Sequence, residues 1–290
     1  MSWRTVIVSS RAKLDYKMGY MVVRALETKR VLLDEVAILV VENPAISITG
    51  CLIEALIQKK IKVIFCDSKR NPAAELVAHH GSHDCSAKIR TQVAWRQETK
   101  DTIWREIVSE KIRLQADFLS EQGHGKEAEL LRSYIGQVEF LDASNREGHA
   151  AKVYFNALFG MDFTRTADNA TNAALNYGYS LVLSAFNREI VANGYLTQLG
   201  LFHSNMFNYF NLGSDLMEPF RILVDRQVYK MHPAYFDKEE KRTLWEFLES
   251  HVKVDGLRQS ILNAIKIYTR SVLDAINEED LSLIRFYELD

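Results

Sequence analysis

Short β-branched and apolar runs crowd the first 70 residues. TVIVSS (5–10), YMVVRAL (20–26), RVLLDE (30–35) and VAILVVE (36–42) have strand length and strand composition, and IKVIFCD (61–67) adds another. Glu27-Thr28-Lys29, between two of these runs, marks a hairpin although the usual Gly turn signal is missing. Thr49 stands where it can cap a helix running through Lys60, with Leu52, Ala55 and Leu56 on the buried side. A polar stretch with Pro72 and Gly81 follows, and 71–86 reads as a linker. From Ala87 onward the period changes to that of a helix. Ile89 and Val93, Ile103 and Ile107, and Trp104 and Val108 are each four apart and fall on one helix face. Gly123 and Gly125 interrupt the pattern, and a second helix is predicted to about Leu141. Further helices are predicted over Asn145–Phe159 (stopped by Gly160), Ala170–Val191, a segment from Met206, Lys238–Leu248 and Ser260–Ile276.

This pattern predicts an α+β protein. A small β-rich N-terminal domain (1–70) is followed by the linker (71–86) and a larger helical domain (87–290). At 290 residues the chain is long for a single compact core, which agrees with two unequal parts. With 47% hydrophobic and 26% charged residues it has a globular composition, not a disordered one. No apolar run approaches the roughly 20 residues of a membrane span. MSWRTVIVSSRAK lacks the apolar stretch and cleavage site of a secretion signal. Cys51, Cys66 and Cys85 form no disulfide framework. A cytoplasmic protein with reduced thiols is expected. The net charge of -2 conceals an asymmetry: residues 1–70 carry 12 Lys/Arg against 7 Asp/Glu, and the remaining 220 carry 24 against 31. A basic lobe beside an acidic one is compatible with local polyanion binding, since phosphate contacts depend on local Lys and Arg. It is equally compatible with a solvated surface.

Three segments carry candidate chemistry, each with a plain structural alternative. In SNREGHAAKVYFNALFG (144–160), Ser144 and Glu147 have the spacing of a helix capping box. Glu147 is alternatively a metal-binding carboxylate, with Arg146 and Lys152 beside it to hold phosphates. In LGLFHSN (199–205), His203 is either a ligand or a hydrogen-bonded core histidine. In LGSDLMEPFRILVD (212–225), Asp215 and Glu218 share a helix face at i, i+3, and Pro219 suits a helix start. These two carboxylates are alternatively counter-charges to a helix N-terminus. Glu, His and Glu together are a mixed oxygen and nitrogen set suited to Mg²⁺ or Mn²⁺, the ions phosphodiester chemistry commonly uses. Sequence spacing does not show that 147, 203 and 218 meet. His79, His80, His83 and Cys85 have zinc-binding side chains, but they are compressed into seven residues with no second pair at finger spacing. No nucleophile elbow or P-loop is present, and Cys66 has no neighbouring base in sequence.

The same segments resemble one known family. TNAALNYGYS (171–180) resembles the N-A-x-L-N-Y-G-Y helix of the CRISPR-associated integrases, and GLFHSN resembles their Gly-x-x-His element. SDLMEPFRILVD resembles their Asp-Leu-x-Glu-x-Phe-Arg-x-x-Val-Asp element, and REGHAAKVYF their Glu-Gly-x-x-Ala segment. The order matches, as do the gaps of 56 residues from Glu147 to His203 and 15 more to Glu218. SWRTVIVSSRAKLDY and IKVIFCDSKR resemble the type II branch, so the likeness spans essentially the whole chain.

The resemblance implies a β-sandwich-like N-terminal domain, a helical (all-α) catalytic domain, a homodimer, and a complex with a small ferredoxin-like partner subunit. It also implies that Glu147, His203 and Glu218 are at once the catalytic and the metal-binding residues. Asp215 would support them, and Asn176 and Tyr177 belong to the motif helix without a stated role. The implied reaction is Mg²⁺- or Mn²⁺-dependent insertion of a short DNA fragment into a CRISPR repeat array by 3′-hydroxyl transesterification. The alternatives are a metal-dependent nuclease of branched DNA and a non-catalytic DNA-binding scaffold.

Overall fold

A computed structural model describes residues 4–68, 70–78, 82–139 and 145–289. The chain opens with β1 (Arg4–Val8) and a meander of β2 (Lys13–Lys17), β3 (Tyr20–Arg24) and β4 (Thr28–Leu32). A 3-10 turn at Leu33–Glu35 leads into β5 (Val36–Val41), followed by β6 (Ser47–Ile48), α1 (Gly50–Gln58), β7 (Lys62–Cys66) and β8 (Pro72–Leu76). These strands form two four-stranded sheets, ordered β1-β5-β7-β8 and β4-β3-β2-β6. In the first, β1, β5 and β7 are parallel and β8 is antiparallel to β7. In the second, β3 is antiparallel to both β2 and β4, while β6 is parallel to β2.

The expected hairpin lies between β3 and β4, with the reversal at residues 25–27 and Thr28 and Lys29 already paired in β4. Thr49 is the N-cap residue of α1, and Leu52 and Leu56 are buried as expected, although the Thr49 side chain makes no capping bond.

Strand β5 is buried at every position because each of its faces meets a different core. Val36, Leu39 and Val41 join the core that the two sheets share with α1. Ala37, Ile38 and Val40 join the core of the helical part, together with Ile64 and Cys66 of β7. A parallel strand covered on both faces reads as a continuous apolar run, which VAILVV is.

The helical part comprises α2 (Cys85–Val93), α3 (Gln97–Glu121), α4 (Gly125–Ile135), α5 (Arg146–Phe159), α6 (Ala170–Ala192), α7 (Asn211–Leu216), α8 (Arg221–Met231), α9 (Lys238–Phe247) and α10 (Ile261–Glu278). Helix α3 buries Trp104, Ile107, Val108, Ile112, Phe118 and Leu119 along one stripe, and α6 packs on α7, α8, α9 and α10.

The structure differs from the sequence expectations in four places. The 71–86 stretch is partly built into the sheet, because β8 pairs with β7, and α2 begins at Cys85. Helix α4 stops at Ile135, short of Leu141. The segment from Met206 is loop until Asn211, and Pro219 lies in a 3-10 turn (Glu218–Phe220) between α7 and α8, where its missing N–H removes a helical bond. The C-terminal part is not all-α. Strands β9 (His251–Val254), β10 (Leu257–Ser260) and β11 (Tyr287–Glu288) make a small antiparallel sheet ordered β10-β9-β11. Its hairpin turns at Asp255 and Gly256, both at positive φ. An Asp-Gly pair favours this two-residue turn, and Val252 and Val254 alternate inward beside it.

Candidate active site

The loop from Gly200 to His203 is folded around one carboxylate. Asp215, fully buried on α7, accepts hydrogen bonds at Oδ2 from Leu201 N (2.6 Å) and Phe202 N (3.2 Å), and at Oδ1 from His203 N (3.1 Å). The same Oδ1 lies 2.6 Å from His203 Nδ1. A carboxylate only accepts, so Nδ1 carries the hydrogen and Nε2 keeps its lone pair in the neutral ring. The hydrogen bond to Asp215 raises the His203 pKa above its usual value against the opposing effect of burial, and the charges of Asp215, Glu218 and Glu147 add to the rise. Burial pushes the Asp215 carboxyl upward, while its bonds to His203 and the loop amides act in the opposite direction.

Gly200 makes this wrapping possible, since a Cβ there would stand 2.4 Å from His203 O and 2.6 Å from Asp215 Oδ2. That distance requirement accounts for Gly and His three apart. Trp104 of α3 stacks on Phe202 with centroids 4.6 Å apart and meets the His203 ring edge-on at 5.7 Å.

Glu147 and Glu218 come together through a residue that the motifs do not contain. Lys111 Nζ, on the buried stripe of α3, lies 2.6 Å from Glu147 Oε1 and also bonds Glu218 Oε2. Glu218 Oε1 in turn accepts from Arg221 Nε at 2.9 Å. Burial alone would raise the Glu218 pKa, but the charges of Arg221 and Lys111 outweigh it and hold the group at about 2. Lys111 is the complement: burial lowers its pKa, and Glu218 and Glu147 more than reverse this, so the ammonium stays charged.

The expected N-terminal cap of α5 falls differently. Asn145 is the N-cap residue, in the left-handed conformation, Ser144 lies outside the described residues, and the Glu147 carboxylate reaches Lys111. Of the flanking cations, Arg146 stacks over the Tyr134 ring at 5.3 Å, while Lys152 is exposed.

These groups line one cavity of about 270 Å³. Glu147, His203 and Glu218 contribute to its wall together with Lys111, Arg165 and Arg221, and Asp225 lies among them, fully buried. Arg165 is held by Asn172 and by Asn176 Oδ1 (2.7 Å), both from the motif helix α6. Tyr179, also on α6, donates to Asp225, and Arg221 stacks over the Tyr179 ring at 4.7 Å. Burial raises the Asp225 pKa to about 6 against the tyrosine hydrogen bonds and the two arginines. Gly178 permits α6 to approach α8, because a Cβ there would lie 2.4 Å from Val224 Cγ1. Tyr177 points elsewhere, accepting from Trp245 Nε1 at 2.8 Å.

The structure therefore brings all three expected site residues to one cavity and adds Lys111, Arg165, Arg221 and Tyr179, which sequence reasoning did not single out. Lys111 did leave a signal. It is three or four residues from Ile107, Val108 and Gln115, so helical periodicity puts a lysine on an apolar stripe. Arg165 left none, being in a loop.

Among the described residues, no three His, Cys, Asp or Glu side chains close around one point as a metal site. Instead the Lys111 ammonium fills the position between the two glutamates. That position is built for positive charge, and its donors (two carboxylates and an imidazole Nε2) are those a hard divalent ion accepts, so the side chains present fit Mg²⁺ or Mn²⁺. Of the alternative histidine cluster, His79 and His80 lie outside the described residues, His83 is exposed, and Cys85 Sγ donates to Ser82 O.

A small two-sheet domain leading into a helical body is an architecture shared with solved structures. The chain superposes on a chain of a Cas6-RT-Cas1–Cas2 complex with a TM-score of 0.76 at 15% identity, covering 99% of this chain and 36% of that one. It superposes on a casposase bound to integration product with a TM-score of 0.75 at 15% identity, covering 97% and 92%. In sequence, it is 30% identical over 295 residues to the CRISPR-associated endonuclease Cas1 of Neisseria meningitidis serogroup C (strain 8013), covering 100% of this chain and 97% of the relative. The family described as CRISPR associated protein Cas1 matches residues 5–241. The chain belongs to the Cas1 family. Among the described residues no helix is long and apolar enough to cross a membrane.

Proposed function

We propose that this chain is a divalent-metal-dependent DNA integrase that inserts short DNA fragments into a CRISPR repeat array. The observation that carries the reading is the single cavity in which Glu147, His203 and Glu218 face Arg165 and Arg221. Carboxylates and an imidazole to hold a cation stand beside guanidinium groups suited to phosphate oxygens. The casposase of the same fold, described as bound to an integration product, supports joining as the reaction class.

In the proposed reaction the 3′-hydroxyl oxygen of the incoming fragment attacks a phosphorus of the repeat strand. The attacking hydroxyl gives up its proton to water, the new P–O bond forms as the P–O3′ bond of the repeat breaks, and the released 3′-oxygen takes up a proton from water. A bound Mg²⁺ or Mn²⁺ supplies charge neutralisation at the phosphate and orientation of the attacking oxygen. Glu147, Glu218 and His203 Nε2 are the side chains that hold it. Asp215 keeps His203 in the tautomer with a free Nε2 and fixes the ring's direction. Arg221 and Arg165, both anchored by neighbours, orient phosphate oxygens, and such fixed positioning is worth several kcal/mol in barrier. Contacts to phosphate and DNA shape dominate over base contacts, since fragments of varied sequence have to be accepted.

The proposal includes a homodimer acting in the cytoplasm with a small ferredoxin-like partner. The Cas6-RT-Cas1–Cas2 complex, which contains a chain of this fold, supports assembly with other subunits. A second reading, hydrolysis of branched DNA with water as nucleophile at the same site, is favoured by the endonuclease name of the Neisseria relative. The deciding experiment follows labelled fragment DNA with a repeat-bearing plasmid, with and without Mn²⁺. Metal-dependent joining is expected. Cutting without joining replaces the integrase by the nuclease, and metal-independent binding alone replaces both by a scaffold.

A further inference from the structure

Lysine and arginine bring three cations to the wall of the active-site cavity: Lys111, Arg165 and Arg221. Two of them face carboxylates, Lys111 both glutamates and Arg221 Glu218. Arg165 differs. Among the described residues it forms no ion pair, and the groups that hold it are uncharged. Asp225, the carboxyl near enough to feel its charge, is hydrogen-bonded to Tyr179 instead.

Three of the holding groups come from one face of α6. Asn172, Asn176 and Tyr179 stand at i, i+4 and i+7, a spacing that aligns side chains along a helix. Asn172 Oδ1 accepts from Arg165 Nη1, and Asn176 Oδ1 accepts from Nη2 at 2.7 Å. The guanidinium carbon lies 5.4 Å from the centre of the Tyr179 ring and 5.5 Å from that of Phe155 on α5. Asn172 also fixes the loop on both sides of the arginine, because its Nδ2 donates to Thr164 O and Ala167 O, both at 2.8 Å. Those two bonds require an amide at 172. At 176 the side chain only accepts, among the described residues, so hydrogen bonding would be served equally by an aspartate. A carboxylate there would hold the guanidinium more strongly. The amide holds it in place and leaves its charge uncompensated.

We propose that Asn172, Asn176 and Tyr179 are positioning residues that present Arg165 as an uncompensated cation to a phosphate of the DNA strand being joined. The proposal rests on the integrase reading of the cavity. A guanidinium is always charged, and its planar fork matches phosphate oxygens in pairs. It has five N–H donors, and the two asparagines engage only one on each terminal nitrogen, so donors remain for a phosphate. The side chain is held before DNA arrives, so little rotamer freedom is lost on binding. Neutral acceptors achieve this without weakening the attraction for a polyanion, which depends on local positive charge. The asparagines and the second tyrosine of the motif helix thereby set the direction of one charge.

The test separates the charge of Arg165 from its mount. Binding of a DNA duplex by the full-length chain is titrated in EDTA at several salt concentrations, and joining is followed separately at saturating DNA. Arg165→Gln removes the charge. It should lower the slope of log affinity against log salt by about one and reduce joining on the order of a hundredfold. Asn176→Ala removes one holding bond and keeps the charge. Its slope should stay at the wild-type value while joining falls by about tenfold, a loss of orientation. Asn176→Asp keeps the acceptor but pairs the guanidinium with a carboxylate, so its slope should fall toward that of Arg165→Gln. A purely structural asparagine would not move the slope in this way. Asn176 is exposed, and thermal melts check that each variant is folded. A wild-type slope in Arg165→Gln or in Asn176→Asp overturns the proposal, as does wild-type joining by Asn176→Ala. The two readings fail separately. Joining by the wild type with wild-type slopes in these variants sinks the mount alone. The expected slopes, with no joining by the wild type under any metal, sink the integrase alone.

Discussion

The Lys111 ammonium bridges Glu147, at 2.6 Å, and Glu218, occupying the position between two carboxylates that come from different helical segments 71 residues apart in sequence. Without that positive charge the two groups would repel each other in a site largely closed to water. Lys111→Met is therefore expected to destabilise the protein by about 3–5 kcal/mol, the usual cost of breaking a buried pair. Mn²⁺ should restore part of that loss by replacing the ammonium. The measurement is thermal unfolding of both proteins with and without Mn²⁺. The variant should show the larger upward shift in Tm. Equal shifts would mean that the carboxylates are a salt bridge and not a cation site.

Glu147→Ala should abolish metal-dependent joining and leave metal-independent DNA binding close to wild type. The Lys111 ammonium keeps Glu218 as its partner in this variant, so the structural cost should stay below that of Lys111→Met and within the roughly 5–15 kcal/mol of a typical domain. Glu218→Gln should behave likewise in the joining assay. Full joining by Glu147→Ala at saturating Mn²⁺ would remove that residue from the ligand set.

His203 can bind a cation only as neutral imidazole. Asp215 raises its pKa above 6.5, so Mn²⁺ affinity should begin to fall at a pH above that value and continue falling as acid is added. Asp215→Asn removes the charge that favours the protonated ring, and should move this fall to lower pH. His203→Asn should weaken Mn²⁺-supported joining and flatten the profile down to about pH 5, where carboxylates begin to protonate. A Mn²⁺ titration of joining at several pH values separates these outcomes. Identical profiles for wild type and His203→Asn would leave the histidine as a packing residue.

Asp225 should make stability fall as pH rises from 4 toward 6. Its folded pKa is about 6 against 3.8 for a free carboxyl. The folded chain thus binds the proton more tightly, and stability present at low pH is lost as pH climbs through that window. The loss is on the order of 3 kcal/mol at neutral pH. Glu218 acts with the opposite sign: its folded pKa near 2 gives stability above 4.5 that disappears as pH falls toward 2. Asp225→Asn, which keeps an acceptor for Tyr179, should raise the Tm at pH 7 and leave it unchanged at pH 4. Subtracting its melting curves from those of the wild type isolates the Asp225 contribution. No difference between the two pH values would show that the buried carboxyl titrates normally.

By itself the sequence determined the two-part plan and the position of its strongest elements. Continuous apolar runs marked β1, β5 and β7, period 3.6 marked α3, α6 and α10, and four short motifs marked the segments that converge on the site. These features were legible because each is a local pattern, readable within a dozen residues. What the sequence left undecided depended on contacts between distant segments. KLDYK became β2 only because it lies between β3 and β6, and the short strand at 72–76 exists because β7 offers it an edge. The choice between a cap and a ligand for Glu147, or between a core residue and a site residue for His203, rested on what stands opposite each side chain. Tertiary structure supplied Lys111 to the first and Asp215 to the second. It also placed Arg165, from a loop without any pattern, beside them. A carboxylate or an imidazole takes its chemistry from the charge facing it and from the water excluded around it, and both are set by chain packing across many residues of separation.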